Sequence, residues 1–154
     1  MTNMENNGFM FRLIIVAGLF FYIANADNGG GGDNPTPNPN APYTGTMAAV
    51  HTASREMPDN ARAAMAYAFD TGADMLRADS TGLVNNTDVA QEYALAFLTF
   101  SYNGIGKPAE RYPATADAIE AELSRVYGTE IVPVDAAKRS QIADAFDEIG
   151  RAVR

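Results

Sequence analysis

Residues 87–103 read TDVAQEYALAFLTFSYN, and the rest of the chain is organised around them. The middle of this stretch, residues 93–100, is apolar nearly all round, a pattern that belongs to a helix buried on several sides. Thr87 or Asp88 is placed to cap it, and the helical pattern runs to Asn103. A buried strand is the competing reading of a short apolar run, but no other segment offers a strand partner.

Helical spacing extends on both sides of this centre. Met47, Val50, Ser54 and Met57 recur at intervals of three and four, and Pro58 ends that helix by excluding helical geometry at the residue before it. A cap at Asp59 or Asn60 opens a second helix. Ala61, Met65, Ala68, Phe69, Gly72 and Leu76 share one face of it, with Arg62, Asp70, Asp74 and Arg77 outside. Residues 80–86 (STGLVNN) carry turn chemistry, and residues 103–108 (NGIGKP) break the chain again. Residues 114–127 then form a helix with Ile119, Leu123 and Val126 inward, Glu120 and Glu122 outward, and Gly128 as its stop. Residues 129–134 (TEIVPV) are extended, because Pro133 bars a helix and β-branched side chains favour strand geometry. Asp135 caps a last helix that presents Ile142, Phe146, Ile149 and Val153. The predicted fold class is all-α: a small five-helix bundle over residues 43–154.

The bundle is preceded by two segments of different character. Residues 9–26 read FMFRLIIVAGLFFYIANA, with Arg12 the only charge and an uninterrupted apolar run from Leu13 to Ala24. A run of this length suits the apolar region of a signal peptide, and Ala24-Asn25-Ala26 supplies the small residues for cleavage before Asp27. The competing reading retains residues 9–26 as a transmembrane helix, about 27 Å long at 1.5 Å per residue, in contact with the membrane. Either way, the positive charge precedes the apolar run and Asp27 and Asp33 follow it. The remainder is therefore expected outside the cytoplasm, in the periplasm or secreted, or held at the inner membrane. Residues 27–42 (DNGGGGDNPTPNPNAP) form a linker, flexible where glycine dominates and extended where proline alternates.

Charge and composition exclude several classes of function. Lys and Arg number 11 against 19 Asp and Glu, giving a formal charge of −8 with no basic cluster, so nucleic acid is not an expected partner. The chain has no cysteine, which removes disulfides, thiolate catalysis and cysteine-ligated zinc. A lone His51 meets neither a catalytic zinc site nor a di-metal bundle, and it reads as a surface or half-buried side chain. Residues 79–83 (DSTGL) place their glycine two positions early for a calcium loop. No cofactor is expected. The grouped acids Asp70 with Asp74, Glu120 with Glu122, and Asp144 with Asp147 and Glu148 read as solvated helix faces.

One motif points to chemistry. Residues 101–106 (SYNGIG) close the apolar helix and resemble the Ala-Tyr-Asn-Ala-Gly-Pro-Gly signature of the lysozyme-like lytic transglycosylases, one residue short in the Tyr-to-Gly spacing. The resemblance implies a peptidoglycan-cleaving enzyme with Tyr102, Asn103 and Gly104 at its binding cleft. Such an enzyme needs a carboxylic acid of raised pKa in an apolar cleft, and the candidates here are Glu56 and Glu92. The family's Glu-Ser pair and its Gly-Leu-Met-Gln stretch are not found. Read locally, the same residues are a helix terminus at which Gly104 turns left-handed.

Three functions are consistent with the sequence. The preferred one is an exported or membrane-tethered, non-catalytic helical module that binds a protein partner or has a structural role in a cell envelope or virion assembly. The alternative is a degenerate lysozyme-like enzyme. The third is a small-ligand binder with a cleft between the helices at 87–103 and 114–127.

Overall fold

A computed structural model describes residues 42–79, 82–99 and 106–154. Among them lie six α-helices: α1 (Gly45–Ala53), α2 (Asp59–Ala78), α3 (Thr87–Thr99), α4 (Pro108–Arg111), α5 (Pro113–Tyr127) and α6 (Ala136–Val153), with a 3-10 turn at Ser54–Glu56. All belong to one compact unit, Thr36–Arg154. The all-α class is as the periodicity implies, and the count rises from five to six through α4. Residues 103–108 read as a break because of Pro108, yet proline is well suited to the first helical position, where its missing N–H costs nothing.

The core is built on the faces marked by the apolar spacing. Phe69 of α2, Tyr93 and Phe97 of α3, and Phe146 of α6 form an aromatic cluster with ring centroids 5.2 to 5.9 Å apart, in tilted, edge-on and stacked pairs. Each buried phenylalanine contributes about 2–3 kcal/mol through burial alone. Gly72 makes this packing possible: a Cβ there would stand 2.9 Å from Phe97 Cζ and 3.1 Å from Phe146 Cδ2. Along the same α2–α6 seam, a Cβ on Gly150 would meet the Ala66 carbonyl oxygen at 3.2 Å. Small residues thus let the two longest helices approach closely, and the two run as neighbours through most of their length. Tyr93, Ala94, Ala96, Phe97 and Leu98 are all buried, which fits the placing of this segment at the centre.

The helix boundaries refine the expected caps. Asp135 caps α6 by accepting from the Lys138 N–H at 2.7 Å, as expected. The cap of α3 is Asn86, whose Oδ1 accepts from the Val89 N–H at 2.9 Å, and neither Thr87 nor Asp88 fills this place. Thr87 instead donates to the Glu130 carbonyl and accepts from the Val132 N–H, both at 3.1 Å. These bonds pin the extended 129–134 segment against the start of α3, where Asn86 and Pro133 form an antiparallel bridge. Asp59 is the first residue of α2 and pairs with Arg62.

Two further sequence expectations need correction. Glu122 does not face outward: it is only 1% exposed, because α1 packs across the flank of α5 and covers it. A transmembrane helix is also not upheld, since no helix of the described residues is long and apolar enough to cross a membrane. The two longest, α2 and α6, are amphipathic and carry charged outer faces. Residues 9–26 and the linker to 41 lie outside the described residues, as does the expected end of α3 at Asn103.

Candidate functional site

Glu56 stands at the end of the 3-10 turn after α1, and its role follows from what lies opposite. Helix α5 begins behind Tyr112, a residue whose side chain supplies no cap. The first N–H groups of any helix lack intrahelical partners and favour a nearby negative charge. Glu56 provides it from a distant part of the chain: Oε1 accepts from the Thr115 backbone N–H and from its hydroxyl, both at 3.0 Å. The Thr115 hydroxyl also lies 3.1 Å from the Ala53 carbonyl, so its single proton has two acceptors. Glu56 is exposed, and the apolar enclosure that would suit it as a glycosidic acid is not around it.

Glu92 is half-buried on α3, one residue before Tyr93. Tyr102, Asn103 and Gly104 lie outside the described residues. The tyrosines Tyr93 and Tyr127 belong to the core: Tyr127 donates to the Ala90 carbonyl at 3.1 Å, and the Tyr93 hydroxyl approaches the Gly72 carbonyl at 3.5 Å. Burial, with Asp79 acting on Tyr93 and Tyr93 on Tyr127, pushes both phenols well above their ordinary range, so neither ionises readily.

His51 is likewise absorbed by the fold. Its Nδ1 lies 2.9 Å from the Ala152 carbonyl at the C-terminal end of α6 and 3.1 Å from the Arg55 guanidinium, so an acceptor and a donor both face the same ring nitrogen. Its ring stacks on Tyr43 at 4.6 Å between centroids, and the Tyr43 hydroxyl donates to the Arg151 carbonyl at 2.9 Å. The Arg151 guanidinium sits 4.8 Å from the centre of the Tyr43 ring. Tyr43 thus satisfies a carbonyl that the last turn of α6 leaves without an intrahelical donor, and the His51 ring packs beside the next one.

The grouped acids are mostly held by arginine. Arg77 reaches from α2 to Asp144 at 2.8 Å and Asp147 at 2.5 Å on α6, and Asp70 pairs with Arg154. Glu122 takes Arg125 through both oxygens, at 2.5 and 3.0 Å, and accepts from the Thr46 hydroxyl. Burial works to raise its pKa. The Arg125 and Thr46 hydrogen bonds and the charge of Arg125 outweigh this and leave the carboxyl below its ordinary range, ionised at neutral pH.

This pair borders a cleft of about 440 Å³ at the N-terminus of α1, whose walls include Tyr43, Thr46, Glu122, Arg125, Glu148 and Arg151 from α1, α5, α6 and the segment before α1. It is not the cleft expected between the helices at 87–103 and 114–127. Glu122 is held ionised, so it has no proton to donate at neutral pH, and its lowered pKa makes it a weak base toward the Thr46 hydroxyl that donates to it. The Glu122–Arg125 spacing was visible in the sequence as an i, i+3 pair. The approach of Tyr43 to Arg151 was not. Among the described residues no group of three or more His, Asp or Glu side chains is placed to hold a metal ion.

No known protein family, curated protein or solved structure matches the chain.

Proposed function

We propose that the chain is an exported, non-catalytic helical module that binds a protein partner or serves as a structural part of a cell envelope or virion. The observation that carries this reading is the use made of Glu56. One of the two acids that the sequence offers for cleaving a glycosidic bond is spent as the N-terminal cap of α5, on an exposed surface. Support also comes from Glu122, the one buried carboxylate of the described residues, which is kept ionised by its partners and so has no proton to give as a general acid at neutral pH. The described domain is all-helical and lacks a metal cluster, and the chain has no cysteine. Export rests on the apolar run at residues 13–24, the Ala24-Asn25-Ala26 site and the charges on either side of them.

Zymography of the purified chain in a peptidoglycan gel tests the non-catalytic reading. The expected result is no clearing. A clearing zone that Glu56→Gln or Glu92→Gln abolishes would overturn it in favour of the lysozyme-like enzyme.

A further inference from the structure

We draw no further inference here: the strongest candidate, the cleft at the N-terminus of α1 between α5 and α6, rests on a helix N-terminus whose flanking Glu122 and Arg125 already pair with each other, and no second observation in the structure points to a ligand for it.

Discussion

Replacing Glu56 with alanine separates a structural acid from a catalytic one, because the two roles predict opposite effects on stability. In the wild-type chain one carboxylate oxygen accepts two hydrogen bonds from Thr115. Removing it leaves the hydroxyl another acceptor, the Ala53 carbonyl at 3.1 Å, so the loss falls mainly on the Thr115 N–H in the first turn of α5. Loss of an N-terminal cap costs about 1 kcal/mol, with a range of roughly 0.5–2. The loss of negative charge at the helix N-terminus contributes a few tenths of a kcal/mol at an exposed site. A total of about 1 kcal/mol lowers the melting temperature of a domain this size by about 4 °C. Glu56→Gln keeps a carbonyl acceptor and gives up only the charge, so it should lose only a few tenths of a kcal/mol. Thermal melts followed by circular dichroism, with urea titrations to confirm an unchanged m-value, measure both variants. A Glu56→Ala protein that melts at or above the wild-type temperature would refute the capping role, and that outcome is what removal of a strained catalytic acid produces.

Glu122 predicts a dependence on pH. Its folded pKa lies below the unfolded value of about 4.3, so the stability it contributes is fully present above that pH and is lost as pH falls through the folded value. Urea titrations from pH 7 down to 3 should therefore show a steeper loss for wild type than for Glu122→Gln, and parallel curves would contradict the assignment. Gly72→Val should be destabilising by about 3 kcal/mol, read as a lower urea midpoint, because the new side chain meets Phe97 and Phe146 with no room to withdraw. An unchanged midpoint would mean that the α2–α3–α6 contact is looser than the geometry indicates.

The parts of the fold that were legible in the sequence are those governed by local rules. Apolar residues at three- and four-residue intervals mark the buried faces of α1, α2, α5 and α6, and Asp135 and Gly128 mark helix ends in residue types suited to them. Local rules also explain the small errors. Asn86, Thr87 and Asp88 are all competent caps in a row, and which of them serves depends on Thr87 being drawn away to Glu130 and Val132, far along the chain. Glu122 looked outward because nothing in α5 itself shows that α1 will cover it. The cleft was illegible for the same reason: Tyr43 and Arg151 meet across 108 residues of sequence. Glu56 reads from sequence as a candidate glycosidic acid alongside Glu92; the capping bond it makes was not legible, because its partner Thr115 lies 59 residues away.

The proposed role depends first on the chain leaving the cytoplasm, and intact-mass measurement of the full chain after cell fractionation tests that most directly. The account predicts that the chain is recovered outside the cytoplasm with a mass beginning at Asp27. Recovery of the unprocessed chain, starting at Met1 and freely dissolved in the cytosol, would contradict it.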